Sequence, residues 1–289
     1  QTLREQRRED FLKYQLPFEY DPSARCPLFE KYLQRVLPDT DCRKVLAEYM
    51  GYIFTTGLKL EKAAILYGSG ANGKSVFFEV VNALIGPDNI CSYSLQNLTK
   101  YEGSQRAELS NKLLNYASEI NGKLEASIFK QLVSGEPVEA RQIYGRPFVM
   151  REYGKLMFNC NELPKEVENT NAFFRRFLII PFDQTIPEKE QDPELAAKII
   201  RDELSGVFNW MLEGLSRLLQ QRKFTRSAMI REQVEDFRRE SDNVAMFLDE
   251  GGYKPDPQSS MLLKDLFYDY RSFCYENGYT PCSLKTVSK

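Results

Sequence analysis

Apolar residues in the first part of the chain recur at helical spacing. They form one apolar stripe over residues 28–37 and a second over residues 45–53, and each predicts a helix. The second helix is opened by the caps Asp39 and Thr40. The charged residues 1–25 that precede them are typical of a linker or a frayed helical arm. We therefore expect a helical module at the N-terminal side of the chain, over residues 1–60.

Short apolar runs replace the helical pattern after residue 60. Four of these runs predict buried strands, at residues 63–67, 113–117, 155–159 and 177–180. Helical spacing lies between them and returns over residues 193–219. Strands that alternate with helices predict an α/β domain built on a mostly parallel sheet, which we place at residues 61–222.

The last part of the chain, residues 223–289, predicts helices again. A basic connector leads into an amphipathic helix over residues 261–275, and Ser283 is placed to cap a further helix. We expect a C-terminal helical module here, and one interpretation of it is an incomplete winged helix. The predicted fold class is thus an α/β core between two helical modules.

The composition restricts the chemistry more than the fold. The 289 residues include no histidine, which excludes Ser-His-Asp and Cys-His catalysis and zinc sites that need imidazole. Acid–base chemistry must then use carboxylates, lysine, tyrosine or a metal-bound water. With 39 Lys and Arg against 41 Asp and Glu, the net charge of −2 argues against a protein that simply coats DNA. The net charge is still compatible with a local basic stripe that is balanced by acidic surface elsewhere.

The cysteines and the hydropathy indicate a cellular setting. The six cysteines form no CxxC pair, so the spacing of zinc knuckles and redox motifs is absent. No apolar run approaches the ~18 residues that span a bilayer, and no signal peptide is recognisable. We expect free thiols in a cytoplasmic protein. Because the chain begins at Gln1, we also expect it to be part of a longer protein.

A glycine-rich turn follows the first predicted strand and leads into a predicted helix. It reads GSGANGKS, the pattern G-x-x-x-x-G-K-[ST], in which backbone N–H groups surround a phosphate. In this pattern Lys74 reaches the β- and γ-phosphates of a nucleoside triphosphate, and the Ser75 hydroxyl binds Mg²⁺. An ordinary strand–helix turn is the alternative. The predicted contacts to ATP are Gly68, Ser69, Gly70, Ala71, Asn72, Gly73, Lys74, Ser75 and Val76.

Polar residues follow the later strands in an order that favours ATP hydrolysis. Glu119 is a candidate to orient the attacking water and to bind Mg²⁺, and Asn161 is a candidate to contact the γ-phosphate. Each residue taken alone is equally explained as a helix cap. Arg175 and Arg176 precede the last strand. They form either an ordinary surface ion pair or an arginine finger that acts on a neighbouring subunit.

Taken in order, these motifs resemble those of superfamily 3 helicases, particularly the helicase part of phage, plasmid and poxvirus primase–helicases. The resemblance covers about residues 28–285. Four motifs carry it: the turn Gly68–Ser75, the strand that ends in Glu119, the segment NELP over Asn161–Pro164, and FRRF over Phe174–Phe177. In one departure, Ser118 stands where the general pattern has a second acid, so a second Mg²⁺-site carboxylate is not identified.

The resemblance implies an AAA+-type P-loop ATPase core that assembles as a ring, usually a hexamer, with ATP and Mg²⁺ bound between subunits. It also implies translocation on single-stranded DNA, typically 3′ to 5′, and unwinding of forked duplex. A primase domain upstream in the same polypeptide is a further implied partner. In this family Glu119 would activate water, Asn161 would be the sensor, and Arg175 or Arg176 would be the finger.

A basic stretch with interleaved aromatic residues, Arg141–Lys155, precedes the third predicted strand. Gly145 is placed to centre a hairpin turn with Arg146 at its tip. Basic residues bind phosphates and aromatic residues stack on unpaired bases, so the predicted DNA contacts are Arg141, Tyr144, Arg146 and Arg151. The alternative is a solvated hairpin that packs its aromatic residues inward. The charged run of residues 222–239 we interpret as a solvated helix face.

Three functions stay open on the sequence alone. An ATP-driven DNA helicase is favoured by the ordered motifs. A second is a P-loop ATPase that loads or remodels nucleoprotein without unwinding it. The third is a DNA-binding replication scaffold that keeps ATP as a structural ligand, and Glu119 with the paired arginines argues against it because passive binding does not need them.

Overall fold

A five-stranded parallel sheet lies at the centre of the structure. The computed structural model describes Arg4, Arg7, Glu9 and residues 12–118, 120, 124–164, 167–254 and 256–288. The sheet consists of β1 (Ala63–Tyr67), β2 (Ile90–Cys91), β3 (Leu114–Ala117), β6 (Lys155–Cys160) and β7 (Phe177–Pro181), while β4 (Val138–Arg141) and β5 (Pro147–Met150) form a separate hairpin. The order is β2-β3-β6-β1-β7, and every neighbouring pair is parallel. All four predicted strands are confirmed.

Helices cover both faces of this sheet. They are α1 (Pro27–Val36), α2 (Thr40–Tyr52), α3 (Lys74–Ile85), α4 (Leu95–Thr99), α5 (Ser104–Ala107), α6 (Ala126–Ser134), α7 (Asn171–Phe174), α8 (Leu195–Asp202), α9 (Leu204–Gln221), α10 (Ala228–Glu240), α11 (Asn243–Glu250), α12 (Leu263–Glu276) and α13 (Leu284–Val287). Along β1, Ala64 and Leu66 face one apolar core, whereas Ala63 and Ile65 face the other. Burial on both faces explains why the strands read as continuous apolar runs. The mixed α/β class with a parallel central sheet is confirmed.

The two N-terminal helices share their core with the sheet. The ring of Phe29 in α1 stacks on Phe77 of α3 with centroids 6.2 Å apart, and the Tyr49 hydroxyl of α2 donates to the Leu156 carbonyl of β6 at 2.5 Å. Helix α9 packs closely on α2 because Gly214 has no Cβ to collide with the Ala47 backbone. The module boundaries at residues 60 and 222 remain predictions.

The charged N-terminal segment of residues 1–25, here called the leader, packs against the rest of the chain over residues 12–25. Asn89 donates its side-chain amide to the Gln15 carbonyl at 2.7 Å, and Phe18 packs edge-on against Phe208 with centroids 5.6 Å apart. The interpretation of this part of the leader as a frayed arm is therefore wrong. Its apolar side chains stand at alternate positions, which lets an extended segment bury one face among charged neighbours: they are Tyr14, Leu16 and Phe18.

Glu203 divides the helical region predicted over residues 193–219 into α8 and α9. Its carboxylate accepts the N–H groups of Leu28 and Phe29, both at 2.9 Å, in the first turn of α1. A carboxylate at the N-terminus of a helix accepts from backbone N–H groups that have no partner within the helix. Its negative charge also interacts favourably with the positive end of the helix dipole. The break between α8 and α9 thus positions Glu203 to cap the N-terminus of α1.

A third and smaller apolar cluster holds the C-terminal helices together. It centres on Phe247 of α11 and on Tyr270 and Cys274 of α12. No strand occurs after Pro181 among the residues that the structure describes. The predicted C-terminal helices are present, and the winged-helix interpretation remains a prediction.

The cysteines are unpaired, and most of their thiols are buried. All six lie in described ranges: Cys26, Cys42, Cys91, Cys160, Cys274 and Cys282. Burial raises the pKa of the Cys42 thiol to about 12, so it stays protonated near neutral pH. Within the described ranges no helix combines the length and the apolar character needed to span a bilayer.

A buried carboxylate joins α2 to α9 and to the segment that follows it. Glu48 is fully buried and accepts from Arg217 Nε at 2.6 Å and from Gln221 Nε2 at 3.0 Å. The backbone N–H and the hydroxyl of Thr225 donate to it at 2.7 and 2.5 Å. Four donor groups from three residues thus converge on one carboxylate. A buried charge of this kind is stable only when such hydrogen bonds and its ion pair compensate for the loss of water.

We expect Glu48→Gln to lower the free energy of unfolding by about 3 kcal/mol, because the amide replaces an acceptor with a donor that faces other donors. Urea unfolding followed by circular dichroism measures the change. Glu213→Gln, at an exposed position of α9, is the matched control and should change the stability by less than about 0.5 kcal/mol. Equal effects of the two substitutions would contradict the role of Glu48.

Candidate nucleotide-binding site

The glycine-rich turn lies between β1 and α3. Gly73, the last residue before α3, has a φ of 85°, a left-handed conformation that glycine adopts without strain. A Cβ at this position would lie 2.8 Å from Val36 Cγ1. No acceptor in the described ranges receives the backbone N–H groups of residues 70–73, which stand at the positive end of α3. The turn therefore offers free donors and a helix dipole to an anion.

Lys74 is the first residue of α3 and is almost fully buried. Its Nζ donates to the Gly68 carbonyl at 2.6 Å and to Asn72 Oδ1 at 3.0 Å, and burial lowers the pKa of the ammonium. The buried Asn72 Nδ2 has no hydrogen-bond partner among the residues described. A phosphate would supply acceptors to both nitrogen groups, so the donors present at the turn fit a nucleotide phosphate.

The ends of β1, β3 and β6 meet beside this turn. Tyr67 at the end of β1 pairs with Cys160 of β6, and Ala117 at the end of β3 pairs with Phe158. The residues that follow these strands therefore stand at the same edge of the sheet. Ser118 and Asn161 are exposed there and line the same cleft as Lys74. Glu119, the predicted water-orienting acid, lies outside the described residues.

The cleft around the turn has a volume of about 700 Å³, which is within the range of small-ligand sites. Ser75 and Val76, both predicted contacts, line it together with most of the turn. Ser75 and Ser118 are exposed and line this cleft, and each carries a hydroxyl oxygen, the type of ligand that Mg²⁺ prefers. Of the nine predicted ATP contacts, the seven over residues 70–76 line this cleft, whereas Gly68 and Ser69 do not.

Three features of the cleft were not predicted from the sequence. The Tyr32 hydroxyl of α1 donates to the Gly73 carbonyl at 2.8 Å, and the Ile186 N–H donates to the Ala71 carbonyl at 2.8 Å. The segment 186–196 therefore closes one side of the turn, and it carries several of the lining residues. Asn159 also lines the cleft, and its side chain accepts from a tyrosine hydroxyl of β3 at 2.8 Å.

Of these three features, only Asn159 could have been recognised from the sequence. A polar residue inside an apolar strand is unusual, and Asn159 stands two positions before Asn161, hence on the same side of the strand. Tyr32 reads as one member of an apolar helical stripe. Nothing local distinguishes it, because its role depends on where α1 packs.

Arg175 and Arg176 lie at the opposite edge of the sheet from the turn. Ala63, the first residue of β1, donates its N–H to the Arg176 carbonyl at 2.8 Å. Arg176 is buried, and its guanidinium donates to Ser134 Oγ at 3.0 Å and pairs with Glu61 at 3.3 Å. The Arg175 side chain is about half exposed and pairs with Glu61 at 2.6 Å. Within one chain neither arginine reaches the turn, and Arg175 is the accessible one.

The predicted hairpin is present, but its turn is centred on Ile143 and Tyr144 rather than on Gly145. The N–H of Gly145 donates to the Gln142 carbonyl at 2.8 Å, so Ile143 and Tyr144 are the central residues of the turn. Arg146 stands just before β5 rather than at the tip. The side chain of Tyr144 is fully exposed, and its φ of 61° is a left-handed conformation that is uncommon outside glycine.

The four predicted DNA contacts fall into two groups on this hairpin. Arg141, Tyr144 and Arg146 are exposed around the tip, where Arg141 Nε donates to the Gly145 carbonyl at 3.0 Å. Arg151 lies beyond the far end of β5, at the base. Of the aromatic residues, Phe148 packs against a core as the inward-packing alternative expects, whereas Tyr144 does not.

Sequence comparisons match one family of unknown function and two viral proteins that carry helicase names. A family of unknown function, DUF5906, matches residues 66–176, which include the turn and both arginines. The chain is 23% identical to the helicase-named protein 121R of Invertebrate iridescent virus 3, over 96% of this chain and 34% of that protein. It is 26% identical to the helicase-named protein L207/L206 of Acanthamoeba polyphaga mimivirus, over 52% of this chain and 16% of that protein. The chain thus spans about a third and a sixth of these relatives.

Structure comparisons find the same overall fold in solved proteins. The apo C-terminal region of NrS-1 in its A form superposes with a TM-score of 0.57 at 14% identity, covering 91% of this chain and 71% of that one. A second apo structure of that region, residues 305–718, gives a TM-score of 0.52 at 16% identity, over 93% and 72% of the two chains. Together with the viral relatives, these matches confirm the resemblance to the helicase part of primase–helicases.

Proposed function

We propose that this chain is the ATP-hydrolysing motor of a DNA helicase that acts in replication as a ring on single-stranded DNA. The observation that carries the proposal is the convergence of Lys74, Ser118 and Asn161 on one cleft at the carboxyl edge of a parallel sheet. The helicase names of the viral relatives support the same function. The proposal keeps, as a partner, the upstream primase domain that the family resemblance implies.

In the proposed reaction the free N–H groups of the turn hold the ATP phosphates, and the Lys74 ammonium contacts the β- and γ-phosphates. Ser75 and Glu119 would hold Mg²⁺, which when bound offsets the negative charge of the phosphates. Glu119 orients the attacking water. Asn161, with Asn159 beside it, donates to the γ-phosphate and so responds to its presence or loss.

The cation that completes the site comes from a neighbouring subunit in this proposal. Arg175 is accessible but stands at the edge of the sheet opposite the turn of its own chain. A ring in which that edge of one subunit meets the nucleotide cleft of the next brings the two together. Arg176, which is buried and bonded within its own chain, instead positions the segment that carries Arg175.

Strand displacement on a duplex with a single-stranded tail tests the proposal. We expect ATP-dependent displacement that is lost when EDTA removes divalent cations, and a nucleotide-dependent increase in particle size measured by light scattering. ATP turnover without displacement would favour a loader or remodeller. ATP binding without turnover would favour the scaffold. A particle that stays monomeric with ATP and DNA would contradict the ring.

We expect Arg146→Ala to reduce DNA-stimulated turnover and strand displacement by about tenfold while turnover without DNA stays largely intact, because the residue contacts phosphates near the exposed hairpin tip. Steady-state ATPase assays with and without oligonucleotide measure both quantities. Arg201→Ala, a solvent-exposed arginine on α8, is the matched control. If displacement by the Arg146 variant equals that of the control, the hairpin does not bind DNA as proposed.

A further inference from the structure

A second cleft, of about 680 Å³, lies at the amino edge of the sheet, opposite the nucleotide cleft. It is formed by the leader, the end of α2 and the segment after it, the residues just before β3, the end of α6, the link between β5 and β6, and Phe208 of α9. One carboxylate, Glu152, lines it against five basic side chains: Lys13, Lys59, Lys112, Arg151 and Lys155. Glu152 pairs with Lys13 at 2.6 Å. In the part of the chain that the structure describes, the other four cations have no carboxylate partner.

Lys155 is the most buried of these cations. Its Nζ lies 4.4 Å from the centroid of the Tyr52 ring, so the stem and the ammonium pack on an aromatic face. Burial, together with the nearby Lys59, lowers the pKa of Lys155 to about 8. A cation that is both desolvated and close to a like charge destabilises the folded chain. An anion in the cleft would remove that cost.

The hairpin connects this cleft to the exposed tip. Arg146 stands before β5 and Arg151 after it, so the return strand spans the roughly 17 Å between them at about 3.3 Å per residue. The cations of the cleft come from four separate segments of the chain, which suits the repeated charges of a polymer. Aromatic rings of Tyr14, Phe54 and Phe208 line the same cleft and offer surfaces for bases.

We propose that this basic cleft binds the phosphodiester backbone of single-stranded nucleic acid, as a second contact surface beside the hairpin tip. The inference rests on the proposed function, since it extends the path of the strand from the tip to the amino edge of the sheet. It assigns binding roles to Lys59, which the sequence did not single out, and to Lys155, the last residue of the predicted basic stretch. It also explains why Arg151 stands apart from the other predicted DNA contacts.

The test is the affinity of the full chain for a labelled oligothymidylate, measured by fluorescence anisotropy at several salt concentrations. The double variant Lys59→Ala with Lys155→Met should bind about tenfold more weakly. Its slope of log affinity against log salt should be smaller by about 1.4, the value for two lost phosphate contacts on a single strand. Lys264→Met, an exposed lysine of α12, should retain the wild-type affinity and slope.

A second measurement separates binding from a structural role. Methionine retains the stem of Lys155 over Tyr52 and removes the buried charge, so Lys155→Met alone should unfold at the wild-type temperature or higher while its affinity falls. A lower unfolding temperature with unchanged oligonucleotide affinity would assign Lys155 to the fold alone and overturn the inference.

The remaining outcomes distinguish this inference from the proposed function. Strand displacement by the wild type, with a double variant that binds as well as Lys264→Met, would overturn the inference alone. Cleft-dependent binding without any strand displacement would overturn the helicase function and leave the inference standing. If millimolar inorganic phosphate displaces the oligonucleotide from the wild-type chain, the cleft is a site for free phosphate. That result would overturn the assignment of the cleft to a nucleic-acid backbone.

Discussion

Replacing Lys74 with methionine is expected to lower ATP turnover by about a hundred- to a thousandfold, because its ammonium is the cation that the glycine-rich turn itself carries toward the proposed phosphate site. Methionine fills the buried space of the lysine stem, so the fold should be retained. Steady-state ATPase assays measure the loss of turnover. Equilibrium binding of a fluorescent ATP analogue measures the loss of ATP affinity that removal of the ammonium should also cause. Lys264→Met controls for the change of residue type at an exposed position.

Glu119→Gln provides the complementary variant. We expect it to bind ATP with near wild-type affinity and to lose turnover, because glutamine cannot orient and deprotonate water as the carboxylate does. A variant that binds and does not hydrolyse separates the enzyme from a scaffold that uses ATP as a structural ligand. Turnover at the wild-type rate in both Lys74→Met and Glu119→Gln would contradict the assignment of the site.

Replacing Arg175 with alanine is expected to lower turnover by about a thousandfold or more, as removal of an arginine finger does, with little change in ATP affinity. Its side chain is half exposed and held by Glu61, so its loss leaves no buried charge without a partner. Arg176 is not suited to the same experiment, because it is buried and bonded to Ser134, and its removal would disturb the fold.

Mixing two inactive variants tests whether Arg175 acts on a neighbouring subunit. In an equal mixture of Lys74→Met and Arg175→Ala chains, about a quarter of the interfaces combine an intact turn with an intact arginine. Turnover should therefore recover to a measurable fraction of the wild type. If the mixture stays as inactive as its components although both variants assemble, Arg175 does not complete the site in trans.

Local sequence patterns predicted the strands of the central sheet, which are buried on both of their faces. β1, β3, β6 and β7 each read as a short apolar run because α-helices cover the sheet on both sides. The glycine-rich turn was predictable for a related reason, since the residues of its pattern form one contiguous stretch of eight. The leader was misread because its charged residues conceal an alternating apolar pattern that only an extended conformation uses.

Contacts between distant segments were beyond the reach of such patterns. Tyr32 and the segment 186–196 belong to the nucleotide cleft only because α1 and the chain after β7 pack beside the turn. The position of the hairpin turn depended on one hydrogen bond, from Gly145 to Gln142. The difference between Arg175 and Arg176 likewise came from packing, since adjacent arginines are chemically identical in the sequence.

The α/β class, the glycine-rich turn around Lys74 and the order of polar residues along the strands could be predicted without the structure, because each depends on residues close together in the chain. Which of these residues meet depends on how the strands and helices pack. Parallel pairing brings Ser118 and Asn161 to the edge where Lys74 lies, because the carboxyl ends of parallel strands share one side of a sheet. The same pairing directs Arg175 and the basic cleft to the opposite edge, since residues that precede parallel strands collect there.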